Sequence, residues 1–134
     1  MVYLDTPHVR VWWDDEARFV GIEWRAYVEG PTYREPLNLA IELMKEKKTS
    51  KMLSDMRRMK AVTQADQEWV NKDWLPRAIA AGSNCTAMVV PESAVAMMSL
   101  NRIMGKVGKV VNTGETSAYF KSMEEAKQWL ASKP

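Results

Sequence analysis

Three charged residues, Asp55, Arg57 and Arg58, are the best placed to do chemistry, because they directly follow a short apolar segment. This segment predicts a buried strand, with a helix soon after it. In an open α/β sheet, ligands bind in the crevice outside the carboxyl ends of the strands. Arginine offers planar donors to an anion, and the N-terminus of the next helix adds partial positive charge. We therefore predict an anion-binding turn that includes Ser54.

The same turn allows two other interpretations. In a structural one, Asp55 pairs with one arginine and the turn is solvated. In a catalytic one, a small hydrolase uses Ser54 or Asp55. Ser54 lacks a Gly-x-Ser-x-Gly elbow. The only histidine, His8, follows Pro7 at the expected exposed end of a strand. Any Ser-His or Cys-His mechanism must use this residue, so we expect no catalytic residue and a protein that is not an enzyme.

Metals and cofactors are not indicated by the sequence. One histidine and one cysteine cannot form the usual zinc set. The spacing Gly105-x-x-Gly108 matches neither a P-loop nor a dinucleotide fingerprint. The single cysteine, Cys85, excludes an internal disulfide and is typical of a reducing compartment. We therefore predict no metal, no cofactor and a cytoplasmic location.

Positive charge is concentrated between residues 45 and 60, where seven basic residues face two acidic ones. Such a patch can indicate nucleic-acid binding. Here, however, the predicted strand at 51–55 would separate its two halves by roughly 15 Å. The lysines of the first half suit the C-terminus of a preceding helix. We therefore expect two separate clusters and no nucleic acid as partner.

The periodicity of apolar residues predicts an α/β fold in one domain, residues 1–134. A hairpin joins strands at 9–13 and 19–24. Strand–helix repeats follow, and no element is clearly indicated at 105–115. The predicted sheet is mixed but mostly parallel, with an N-terminal β-hairpin, and about four helices cover it. The remaining predicted strands lie at 51–55, 86–90 and 116–120, and the predicted helices begin near Thr32, Thr63, Pro91 and Ser122.

Local signals refine these helices. Thr32 with Glu35, and Ser122 with Glu125, have the spacing of capping boxes. Pro76 is expected to kink or end the second helix, because proline lacks the backbone donor.

Six Trp and ten Met are many for 134 residues. Trp69 and Trp74 lie five positions apart on the second predicted helix, so they cannot share a narrow face. One should pack inward, and the other could sit beside a ligand. We therefore add Trp69 to the candidate ligand-binding residues.

After residue 50, most of the chain resembles the STAS domain, named for sulfate transporters and anti-sigma factor antagonists. Within that family, it resembles the small bacterial STAS-like proteins grouped with the anti-sigma antagonist of sporulation. The matching motifs, in chain order, are Leu53-Ser54-Asp55-Met56-Arg57, Gln67-Glu68-Trp69, Trp74-Leu75-Pro76-Arg77-Ala78, Ala81-Gly82, Ala87-Met88-Val89-Val90-Pro91 and Tyr119-Phe120-x-Ser122-x-Glu124-Glu125-Ala126-x-x-Trp129-Leu130.

The resemblance implies a domain that acts by binding a protein partner or a ligand and not by catalysis. In anti-sigma antagonists the corresponding turn has an Asp-Ser-Ser-Gly-like pattern whose serine is phosphorylated. Asp55 matches the aspartate, but Met56 and Arg57 follow it. The resemblance therefore predicts that the phosphorylation switch is lost.

Together these observations predict a non-enzymatic module, expected to form a homodimer, that binds a protein partner or a small anionic or amphipathic ligand. The alternative is a carrier of an apolar or lipid-like ligand, because the STAS fold is compared with lipid-transfer domains of the CRAL-TRIO type. In a carrier, the Trp and Met residues would line the pocket. No apolar run is long enough to predict a transmembrane segment.

Overall fold

One six-stranded mixed sheet forms the centre of the fold. The computed structural model describes residues 1–93, 95–99, 101–102 and 116–133. Strands follow one another across the sheet in chain order, antiparallel from β1 to β3 and parallel from β3 to β6. The predicted fold class is therefore confirmed. The strands are β1 (Val2–Asp5), β2 (Val9–Asp14), β3 (Phe19–Trp24), β4 (Lys51–Asp55), β5 (Cys85–Val89) and β6 (Thr116–Phe120).

Helices cover both faces of this sheet. They are α1 (Pro31–Lys47), α2 (Gln64–Trp69), a π-helical turn (Val70–Trp74), α3 (Leu75–Ala80) and α4 (Met123–Ala131). Residues 95–99 are also helical, whereas 105–115, where no element was predicted, lie outside the described residues. No helix within the described ranges has the length and apolar character needed to cross a membrane.

The predicted helix signals have mixed outcomes. The Ser122 hydroxyl caps α4 by accepting a hydrogen bond from the Glu125 N–H at 3.2 Å, as expected. The Thr32 capping box is wrong, because α1 begins after Gly30, which caps the helix with its backbone at a φ of 56°. The second predicted helix, which starts near Thr63, does not end at Pro76. The π-helical turn precedes this proline, and the Leu75 N–H bonds the Val70 carbonyl across the wider turn.

Alternating residues of the strands divide the core into two layers. The face covered by α1, the α1 face, buries Val11, Ile22 and Met52 against Leu37 and Ile41. The face covered by α4, the α4 face, buries Leu53 and Val89 against Leu130. Period-two alternation sends neighbouring residues to opposite faces. Because both faces of β4 and β5 are covered, almost every residue of these strands is buried, with no alternation between buried and exposed positions.

A buried carboxylate, Asp66, ties α1 to α2 near the carboxyl edge of the parallel strands. Its side chain is 1% exposed. It accepts hydrogen bonds from the Arg34 guanidinium at 2.8 Å, the Gly30 N–H at 3.0 Å and the Thr63 hydroxyl at 2.9 Å. The Thr63 hydroxyl in turn caps α2 by accepting from the Asp66 N–H. Three donors for one buried charge offset its desolvation, and they fix how the loops before α1 and α2 lie.

Gly21 allows the antiparallel half of the sheet to pack on the α4 face. It pairs with Trp12 across β2 and β3, and the indole lies directly over it. A Cβ atom at this position would overlap the Trp12 ring. Trp12 is consequently buried, with an edge-on contact to Phe19.

We predict that Gly21→Ala lowers the free energy of unfolding by about 1–3 kcal/mol, because the indole must move to accommodate the methyl group. Chemical denaturation would measure the change. In a Trp12→Ala background the same substitution should cost less than about 0.5 kcal/mol, since the overlapping ring is gone. An equal cost in both backgrounds would show that the ring contact is not the cause.

Candidate functional site

Two acid-x-arginine pairs lie side by side at the carboxyl ends of β3 and β4. Glu23 and Asp55 are aligned partners in the parallel register of these strands. Two residues beyond each acid, an arginine folds back onto it. The Arg25 Nε lies 3.0 Å from Glu23 Oε1, and the Arg57 Nη2 lies 2.8 Å from Asp55 Oδ2. The alignment of the strands therefore brings two guanidinium groups to one edge of the sheet.

The Asp55 carboxylate is the more deeply buried of the two acids, at 3% exposure. It accepts from the Arg57 Nε at 2.9 Å and from Nη2 at 2.8 Å, so the pair is bidentate. The Arg57 N–H adds a third hydrogen bond to the same carboxylate at 3.2 Å. The hydrogen bond with Asp55 raises the pKa of Arg57 above its ordinary value. The guanidinium is therefore charged at neutral pH, and this charge compensates that of the buried Asp55 carboxylate.

The second guanidinium, Arg25, is held from two sides. Its Nη1 donates to the Asp5 carboxylate at 2.6 Å and to the Thr6 carbonyl at 2.9 Å. Hydrogen bonds to Asp5 and then to Glu23 raise the pKa of Arg25. The first of these partners lies at the end of β1, a strand that the sequence analysis missed. This short strand therefore helps to orient a side chain of the candidate site.

Two adjoining cavities open beside these pairs, and together we call them the strand-end cleft. They share Arg57, Arg58 and Glu92. The first cavity, of about 570 Å³, is also lined by Arg25, Met59, Lys60 and Ser93. The second, of about 270 Å³, is also lined by Glu23, Trp24 and Asp55. The first volume is in the range of a small-molecule site, the second lies just below that range, and the lining is predominantly charged.

The structure brings three of the five predicted ligand-binding residues together: Asp55, Arg57 and Arg58 all line the cleft. Ser54 does not join them, because the period of the strand turns it to the α1 face. There its hydroxyl accepts a hydrogen bond from the Trp24 indole at 3.2 Å.

Trp69 also lies outside the lining of the strand-end cleft. It packs at the margin of the α1-face core. The guanidinium carbons of Arg34 and Arg77 lie 5.2 and 5.8 Å from its ring centre. These contacts give the half-buried indole a structural role beside α1.

Sequence reasoning missed seven residues of the cleft: the polar residues Glu23, Arg25, Lys60, Glu92 and Ser93, and the apolar residues Trp24 and Met59. One signal was present for the first two. Glu23-Trp24-Arg25 and Asp55-Met56-Arg57 share the pattern acid-x-Arg, each at the end of a predicted strand. Recognising it as a pair required knowing that the two strands are adjacent and parallel.

Within the described residues, the nucleophiles and bases are not grouped as a hydrolytic site requires. Ser54 and Asp55 point to opposite faces of β4. His8 is exposed in the turn before β2, and Cys85 is buried in β5. Among the residues that the structure describes, no three His, Cys, Asp or Glu side chains are grouped to hold a metal ion.

Comparison of the chain with models of protein families, with curated proteins and with solved structures returned no match. The site is therefore defined by its own geometry: a buried acid paired with a partly exposed arginine, a second acid–arginine pair beside it, and exposed basic side chains at the rim.

We predict that Asp55→Asn lowers the free energy of unfolding by about 1–3 kcal/mol, because it removes a charge-assisted bidentate contact from a buried position. The matched control is Asp73→Asn, which disrupts the surface pair between Asp73 and Arg77. That change should cost less than about 1 kcal/mol. Equal losses in urea denaturation would show that burial adds nothing to the Asp55–Arg57 pair.

Proposed function

We propose that this protein is a non-enzymatic, STAS-like binding module whose strand-end cleft takes a small anionic ligand. The observation that carries the proposal is the convergence of Arg25, Arg57 and Arg58 on one cavity beside the carboxyl ends of parallel strands. This edge is where open α/β sheets bind ligands. Guanidinium groups match the geometry of carboxylate and phosphate oxygens.

The arginines have different parts in this proposal. Several donors of Arg57 and Arg25 are already bonded to Asp55, Glu23 and Asp5. Both guanidinium groups are therefore positioned before a ligand binds. Arg58 is exposed and has no hydrogen bond or ion pair with any residue in the described part of the chain. We assign Arg58 as the main anchor of the ligand, with the two paired arginines as fixed donors behind it. Pre-positioned donors reduce the ordering cost of binding.

The chemistry of the cleft favours an anionic ligand over an apolar one. Of its lining residues, only Met59 and Trp24 are apolar. Most of the described methionines and tryptophans, which a carrier would use to line its pocket, instead fill the core, among them Trp13, Met44 and Met52. The same separation of Ser54 from Asp55 supports binding rather than hydrolysis.

We predict that Arg58→Ala/Lys60→Ala weakens the binding of inorganic phosphate by about tenfold, because two cationic groups leave the cleft. Replacing Arg57 instead would leave the buried Asp55 carboxylate without its ion-pair partner. A loss of stability could then not be separated from a loss of affinity. NMR titration at low ionic strength would measure the affinity. Binding by the wild type should weaken as salt rises.

The control, Lys45→Ala/Lys127→Ala, removes the same net charge from exposed positions outside the cleft. We expect it to bind phosphate about as well as the wild type. Equal losses in the two double variants would mean that phosphate responds to net charge alone, and the proposed site would be wrong.

A further inference from the structure

Three charged side chains in the strand-end cleft have no charged partner within the described residues. Two are basic, Arg58 and Lys60, and one is acidic, Glu92. By contrast, the other charges of the cleft already have ion-pair partners: Arg57 pairs with Asp55, and Arg25 pairs with both Glu23 and Asp5. The side chains that remain for a ligand thus carry two positive charges and one negative charge.

These charges are also unevenly distributed between the two cavities. The first cavity has four cationic side chains, Arg25, Arg57, Arg58 and Lys60, against the single carboxylate of Glu92. The second has two arginines against three carboxylates. Because the cavities adjoin, a ligand that spans them meets an excess of basic side chains in the first and a slight excess of acidic ones in the second. Glu92 borders both cavities.

We infer that the ligand of the cleft is a phosphorylated amine, with a phosphate monoester against Arg58 and Lys60 and an ammonium group against Glu92. This inference rests on the proposed function of the cleft. A phosphate monoester carries nearly two negative charges above its second pKa, near 6, and so matches the two unpaired cations. A carboxylate or a phosphodiester carries only one. An ammonium group supplies the single positive charge that the unpaired acid lacks.

Neighbouring residues fit the middle of such a ligand. Met59 is buried and lines the first cavity, where its apolar side chain can contact the carbon atoms that join phosphate to amine. The Glu92 N–H donates to the Arg57 carbonyl at 3.2 Å. This backbone contact holds the segment that carries the acid beside the turn that carries the arginines.

Three probes separate the charges of this ligand: O-phosphoethanolamine, ethyl phosphate without the amine, and glycerophosphoethanolamine with a singly charged phosphodiester. The full chain is titrated with each at pH 8 and low ionic strength, and the arginine Nε–H and backbone signals are followed by NMR. We expect O-phosphoethanolamine to bind about three- to fivefold more tightly than either comparator, as solvent-exposed ion pairs allow.

Glu92→Gln gives the decisive comparison. It should weaken the binding of O-phosphoethanolamine by about threefold and strengthen the binding of ethyl phosphate by a similar factor. The reason is that the Glu92 carboxylate attracts the amine and repels the phosphate. The control Glu42→Gln, an exposed acid on α1, should leave the ratio of the two affinities unchanged. If Glu92→Gln does not lower the affinity for O-phosphoethanolamine relative to that for ethyl phosphate, the assignment of the amine is wrong.

Other outcomes distinguish this inference from the function on which it rests. If glycerophosphoethanolamine binds as tightly as O-phosphoethanolamine, the assignment of a doubly charged phosphate is wrong, although the anion site stands. If none of the three probes shifts the signals of the cleft, or if Arg58→Ala leaves every affinity unchanged, the proposed anion site itself fails.

Discussion

The buried carboxylate of Asp55 is the constraint on which the site depends. A charge at the end of a central strand, 3% exposed, is costly to desolvate unless it is paired and hydrogen-bonded. Arg57 meets this need with a bidentate contact and with its own backbone N–H. The chain after β4 must therefore turn back on itself within two residues. This turn directs the next side chain, Arg58, into the cleft rather than toward the carboxylate.

The antiparallel strands β1 to β3 also supply residues to this edge of the sheet. Glu23 is aligned with Asp55 only because β3 runs parallel to β4. The guanidinium of Arg25 is then held by Asp5 and Thr6, which the β1–β2 connection supplies. The flat packing of Trp12 on Gly21 keeps β2 and β3 in this register. A substitution at Gly21, which does not itself line the cleft, would thus act on the strands that position its arginines.

The elements predicted from periodicity alone are those with a strong apolar pattern, and the structure confirms them: the hairpin, the two central strands and the helices that start near Thr63 and Ser122. β1 was missed because Val2–Asp5 is short and partly exposed, so it shows neither alternation nor an apolar run. The placement of Ser54 could have been derived, since alternation from Leu53 separates it from Asp55. Arg25 could not, because its role depends on which strands are neighbours.

Paired arginines and free arginines contribute differently to a binding site. Replacing Arg57 would leave Asp55 buried without a counter-charge, so its loss mixes a folding defect with any loss of affinity. Arg58 carries no such burden, because its side chain is exposed and forms no ion pair with any described residue. The fold therefore separates two tasks within one dipeptide. Arg57 stabilises the strand end and fixes the geometry of the turn, and Arg58, held by that geometry, is left to supply the charge that a ligand can use.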